Sequence, residues 1–267
     1  MPVPVPHRLE VFSFFKVQSP LLAYASKVTS QYGEDGIIQR MLEILPPVEK
    51  YCVEFGAWDG KKYSNTYNLI ANHGWGGCLI EGDEKRMPAL LATHGVREGV
   101  RCLQKFVSYE GENTLDRILA DVGAPKNPGL ICIDVDGIDY FIWESLKNYE
   151  PAILIIEFNP AIPNDVVFIQ EKSMLVQQGS SLLATVLLGQ EKGYELVCCT
   201  MTNAFFVKAE FLPRFGIPNN GIPFLYQPRD IKVLYGYDGT IHVAGEAKML
   251  WQDARIEAVQ FRATKEA

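Results

Sequence analysis

Several things are scarce in this chain. Histidine occurs four times, at His7, His73, His94 and His242, and none stands where a base would be expected; His73 and His94 each precede a glycine at the end of an expected helix, as C-terminal cap residues do. Six cysteines (Cys52, Cys78, Cys102, Cys132, Cys198 and Cys199) form no CxxC pair, which argues against a zinc site. They fall in expected strands, as buried thiols of a reducing cytoplasm would. No basic run exists and the net charge is −7, so a nucleic-acid partner is disfavoured. The start Met1-Pro2-Val3-Pro4-Val5-Pro6 lacks the charged and apolar regions of a signal peptide. The most apolar early stretch, 9–25, is interrupted by Lys16 and Pro20 and is too short to span a bilayer, so no membrane partner is expected. Its aromatic residues, Phe12, Phe14, Phe15 and Tyr24, would pack on the domain or on a second copy in a homodimer. There is no internal repeat, and 267 residues with 48% hydrophobic content suffice for one large core.

What is present is most informative at Val53-Glu54-Phe55-Gly56-Ala57-Trp58-Asp59-Gly60. The apolar run Tyr51-Cys52-Val53 ends in an acid, a Gly-x-x-x-Gly loop follows, and a polar segment from Lys61 opens a helix. This is the strand, turn and helix of an α/β nucleotide-binding unit. A loop that cradles pyrophosphate offers bare N–H groups. Glu54 and Asp59 would repel a phosphate there, and they suit a ligand with an amino group, hydroxyls and a positive charge, such as S-adenosylmethionine.

Strands are expected at 51–55, 77–81, 100–105, 130–134, 152–157, 195–200 and 204–208, and helices at 36–44, 64–72, 86–94, 114–122, 140–147 and 181–192. The alternation implies a mostly parallel seven-stranded sheet. The short link between the last two strands makes them an antiparallel edge hairpin, the layout of a Rossmann-like class I methyltransferase. An N-terminal helical cap (1–30), a core (31–215) and a small C-terminal extension (216–267) are expected, the last with β structure over 226–243 and a final helix over 246–261.

Gly56 would let the backbone turn and approach a ligand, with Glu54 accepting from an amino group or else capping the next helix. Glu81, at the end of the second strand, could accept from both ribose hydroxyls, with Asp83 close by. Ser64 and Asn65 could cap the helix or contact the cofactor. Asp134 and Asp136 would share one face of the fourth strand, and Glu157 and Asn159 one face of the fifth. If those strands are neighbours about 5 Å apart, the four side chains converge. Such a group either holds a hard cation such as Mg²⁺ or forms a metal-free, hydrogen-bonded cluster. Ser30-Gln31-Tyr32-Gly33-Glu34-Asp35-Gly36 is either a helix cap or a lid over the cofactor.

Together, Ser30 to Gly36, Glu54 to Gly60, Ile80-Glu81-Gly82-Asp83, Ile133 to Gly137 and Ile156-Glu157-Phe158-Asn159 resemble the FkbM-like methyltransferases over roughly residues 31–214. The family usually shows Glu where Asp136 stands. The resemblance implies methyl transfer from S-adenosylmethionine, often to a hydroxyl of a sugar or natural product. The cofactor contacts would then be Gln31, Glu54, Gly56, Ala57, Asp59, Ser64, Asn65, Glu81 and Asp134, and the catalytic group Asp134, Asp136 and Glu157. Similarity to the Mg²⁺-dependent catechol-type O-methyltransferases implies Asp134, Glu157 and Asn159 as metal ligands. An acceptor that is a small molecule or carbohydrate fits, with substrate recognition in 160–180 and the C-terminal extension. The alternative is a non-catalytic protein that keeps this fold for interaction.

Overall fold

The computed structural model describes residues 18–227 and the short segments 232–237, 240–244, 248–249, 254–255 and 261–262. Residues 17–226 form one compact unit; residues 1–16 and 227–267 belong to a second.

In the larger unit, strands β1 (Glu49–Phe55), β2 (Gly76–Glu81), β3 (Val100–Gln104), β4 (Pro128–Ile133), β5 (Ile153–Glu157), β6 (Tyr194–Cys199) and β7 (Asn203–Lys208) make one sheet in the order β3-β2-β1-β4-β5-β7-β6. The first five are mutually parallel, and β7 runs antiparallel to both β5 and β6. Helices α1 (Glu34–Ile44), α2 (Tyr67–His73), α3 (Met87–His94), α4 (Leu115–Asp121), α5 (Asp139–Ser145) and α6 (Leu182–Glu191) alternate with the strands. A short α7 (Ile222–Leu225) follows the edge hairpin.

The strands are apolar on both faces because helices cover both. On one side Cys52, Leu79, Cys132 and Ile155 pack with Ile37, Ile38 and Met41 of α1, Leu69 of α2 and Leu90 of α3. On the other, Val53, Phe55, Ile80, Ile133 and Ile156 pack with Leu115 and Ile118 of α4, Ile142 and Trp143 of α5 and Leu182 of α6. All six cysteines lie on strands and are unpaired; five are buried and Cys102 is partly so. Burial pushes their thiols up. Among the described residues no helix is long and apolar enough to cross a membrane.

In the second unit, β8 (Lys232–Tyr235) pairs antiparallel with β9 (Thr240–Ala244), which also pairs with β12 (Phe261–Arg262). The helix expected over 246–261 is not found in the described part of that stretch. There β10 (Lys248–Met249) pairs antiparallel with β11 (Ala254–Arg255), and cross-strand pairing overrides the local helix propensity of these four residues. The aromatic stretch Phe12 to Phe15 lies outside the described residues.

Candidate functional site

The order of the sheet places its reversal between β1 and β4, since chain connections run one way through β2 and β3 and the other through β5. In open α/β sheets a ligand sits at such a point, outside the carboxyl ends of the strands. Four loops meet that edge: those after β1, β2, β4 and β5.

The loop after β1 is tightly built. Gly56 has φ +72°, and a side chain there would overlap the Asp134 carbonyl oxygen, so only glycine lets the loops after β1 and β4 touch. Ala57 is buried, and its N–H donates to the Ile80 carbonyl at 3.1 Å. Glu54 is 5% exposed and lies beneath the loop. Its Oε2 accepts from Ser64 Oγ at 2.5 Å and Thr66 Oγ1 at 2.8 Å, and its Oε1 from Asn65 N at 2.7 Å. Burial raises its carboxyl, and these three donors oppose the rise. All three donors come from the segment just ahead of α2. Ser64 Oγ in turn accepts from Tyr67 N at 2.9 Å, and α2 begins at Tyr67, later than expected. Asn65 Nδ2 donates to Cys132 Sγ at 3.3 Å. Asp59 Oδ1 accepts from Lys61 N and Lys62 N, which closes the turn. His94 ends α3 ahead of Gly95, as expected, and also bonds through Nε2 to the Gly60 carbonyl at 2.7 Å and packs on Tyr67. Burial lowers its ring's affinity for a proton.

Glu81 ends β2, as expected. Its Oε2 accepts from Trp58 N at 2.7 Å and its Oε1 from Asp83 N at 2.8 Å. A carboxylate offers about four acceptor positions, so roughly one on each oxygen remains. Gln31 is exposed.

The loops after β4 and β5 are different. One carboxylate oxygen each from Asp134, Asp136 and Glu157 lies within 4.8 Å of the others. The convergence is not due to strand pleat. β4 stops at Ile133, and Asp136 is brought round by a left-handed backbone, φ +58°. Burial, then the charges of Asp139, Asp136 and Glu54, raise the Asp134 carboxyl to about 8. Burial, then the charges of Asp134, Asp139 and Asp136, hold Glu157 well above the usual carboxylate range. Asn159 spends its amide on its own loop: Oδ1 accepts from Ala161 N at 2.9 Å and Nδ2 donates to the Gln178 carbonyl at 2.7 Å.

Sequence reasoning passed over Asp139. Its Oδ1 accepts from Val135 N at 2.8 Å and its Oδ2 from Gly137 N at 2.9 Å, which holds the turn that presents Asp136. An acid in the first turn of a helix after a glycine was a usable signal. Trp58 and Tyr63 were also passed over. Both are left-handed, with φ of 51° and 62°, and they present partly exposed rings at the rim. Lys62 Nζ lies over both rings and the Arg86 guanidinium over Trp58. Left-handed aromatic residues leave no mark in a sequence. Non-glycine residues in this region cost of order 1 kcal/mol or more and gather at functional sites. Among the described residues all three, Trp58, Tyr63 and Asp136, lie in loops at this edge.

No family model matches the chain, and no curated protein matches it. Solved structures do resemble it. The N-terminal domain of EvdMO1 in the presence of SAH and D-fucose is 13% identical, covering 65% of this chain and 80% of that one, with a TM-score of 0.42. The precorrin-6y C5,15-methyltransferase of Geobacter metallireducens is 12% identical, covering 68% and 90%, with a TM-score of 0.40. The CMeT domain of the citrinin polyketide synthase is 12% identical with a TM-score of 0.43; 66% of this chain matches it, and the chain spans about half (51%) of its length. At these values the likeness is one of general architecture.

Proposed function

We propose that this chain is an S-adenosylmethionine-dependent methyltransferase of FkbM-like type, acting on a hydroxyl of a small molecule or carbohydrate. The observation that carries the reading is the placement of Glu81 beside the Gly56 loop, next to the sheet's reversal point, with three further acids one and two strands away. The edge is rich in carboxylates where a pyrophosphate site would present bare N–H groups.

The residues fit the cofactor in part. Glu81 retains acceptor capacity on both oxygens, which suits a ribose diol donating two O–H groups. Gly56, Ala57 and Asp59 shape the loop that would lie against it. Glu54, Ser64 and Asn65 serve beneath that loop, with the donors of Glu54 supplied by the protein. When bound, the cofactor supplies an activated methyl group. The protein's own task is then alignment of donor and acceptor, a contribution of about 7–11 kcal/mol in well-ordered sites. Asp134 or Asp136 accepts the proton of the acceptor hydroxyl as general base. Glu157, whose carboxyl lies beside that of Asp134, orients it. Mg²⁺ is a candidate second ligand of Asp134 and Glu157, with Asp136 close enough to join them; Asn159 could join only by giving up its loop bonds. Six unpaired cysteines suit a reducing cytoplasm. One observation favours a non-catalytic interaction protein instead: Glu54, Asp59 and Glu81 all have protein partners already.

Calorimetric titration with S-adenosylhomocysteine, with Mg²⁺ and again after EDTA, decides between them. Micromolar binding that Glu81→Ala abolishes is the expected result. No binding by a folded sample overturns the proposal and leaves the interaction protein. Full turnover by Asp134→Asn with unchanged cofactor binding would remove Asp134 as the base and leave Asp136.

A further inference from the structure

The motif Ser30 to Gly36 has a mechanical explanation at nearly every position. Asp35 is 3% exposed, and its Oδ2 accepts from three successive backbone N–H groups: Val28 at 2.8 Å, Thr29 at 2.9 Å and Ser30 at 2.9 Å. Ser30 Oγ accepts from Asp35 N at 3.1 Å, so the two residues close a reciprocal pair like a capping box. Gly33 is left-handed, φ +96°, and ends the turn that starts α1. A side chain on Gly36 would overlap the Tyr24 carbonyl and Ser26 Oγ, so glycine lets the preceding segment cross the helix start.

The folded segment then grips two other parts of the carboxyl edge. Ser30 forms a parallel bridge with Tyr63, and Thr29 Oγ1 donates to the Ser64 carbonyl at 3.1 Å. Tyr63 is one of the left-handed residues, a conformation that persists only where its surroundings over-determine it. Its neighbours Ser64 and Asn65 are the residues that hold Glu54. On the other side, Glu34 Oε1 accepts from Thr200 Oγ1 at 2.8 Å, at the turn between β6 and β7.

We propose that residues 28–36 are a clasp that sets the position of the loop after β1, which makes Thr29, Ser30 and Asp35 positioning residues for the cofactor rather than a lid over it. The clasp rests on its own geometry; its consequence for the cofactor rests on the methyltransferase reading. The test uses the full chain with Thr29→Val, Thr29→Ser and Asp35→Asn, and measures backbone hydrogen exchange over residues 57–66, S-adenosylhomocysteine affinity and thermal midpoint. Thr29→Val is expected to speed exchange in the loop about five-fold and to weaken the ligand about five-fold, the equivalent of one net hydrogen bond. Its midpoint should fall by no more than about 3 °C. Thr29→Ser, which keeps the hydroxyl, should restore both, and Asp35→Asn should exceed Thr29→Val. Unchanged exchange in Thr29→Val, or no recovery in Thr29→Ser, overturns the clasp. Faster exchange with unchanged affinity overturns the positioning role. If the unaltered protein binds no S-adenosylhomocysteine, the methyltransferase reading and the positioning role fall together, and the exchange arm alone upholds or overturns the clasp.

Discussion

Glu54 and Glu157 occupy comparable places: each is an acid at the carboxyl end of a central parallel strand, one beside the reversal point of the sheet and one two strands along. Their surroundings differ in kind. Glu54 meets three donors, Ser64 Oγ, Asn65 N and Thr66 Oγ1. Glu157 meets other carboxyl groups, Asp134, Asp136 and Asp139. Burial disfavours the charge of both, but hydrogen bonds offset this at Glu54, whereas neighbouring charge adds to it at Glu157. An acid ringed by donors organises a loop. Acids turned toward each other store electrostatic cost, which stability alone would not select, and this is why the second group is the better candidate for chemistry.

The comparison breaks most severely where the two regions touch. Gly56→Ala would put a methyl group against the Asp134 carbonyl in a left-handed backbone, and unfolding by denaturant should show a loss of about 3 kcal/mol or more. The same acid-to-amide change should then act oppositely at the two glutamates. Glu54→Gln turns an N–H₂ toward groups that need an acceptor and should cost about 2 kcal/mol in the same measurement. Glu157→Gln removes a member of the like-charge group and should stabilise by about 1 kcal/mol at pH 8.

The pH dependence sharpens this. Burial and neighbouring acids raise the Asp134 carboxyl to about 8 in the folded state and Glu157 well above the usual range. Through Asp134 the folded protein therefore holds more protons than the unfolded chain from about pH 4 to about pH 8, and Glu157 acts in the same direction. Stability conferred by these groups is present below that window and is lost as pH rises through it. The advantage of Glu157→Gln should therefore be near zero at pH 4.5 and grow toward pH 8; a gain independent of pH would refute the electrostatic account. The smallest expected effect is from metal. Mg²⁺ at pH 8 should raise the melting midpoint of the unaltered protein by about 2 °C and leave Glu157→Gln unmoved, if the acids hold a cation.

Much of the fold could be read in advance. The seven strands of the larger unit begin and end within two residues of expectation, because runs such as Leu130-Ile131-Cys132-Ile133 have no other stable place than a sheet covered on both faces. The acids at strand ends were also legible, as were the edge hairpin and the importance of Gly56. In the described part of the expected final helix, Lys248, Met249, Ala254 and Arg255 are good helix formers by propensity, and their pairing across strands overrides that preference. Asp136 was placed beside Asp134 for the wrong reason, Asp139 was not placed at all, and the left-handed backbones of Trp58 and Tyr63 were not foreseen.

The amino-acid sequence by itself determined the alternation of strands and helices, the order of acids along it and the glycines at the turns, since these follow from local periodicity and backbone sterics. Only the tertiary structure decided which acids are satisfied and which confront one another. Thr66 and Ser64 reach Glu54 across a loop, and Glu157 reaches Asp134 across neighbouring strands. Whether a buried carboxylate meets a donor or another carboxylate depends on a few ångströms between residues distant in the chain, and no local pattern encodes that distance.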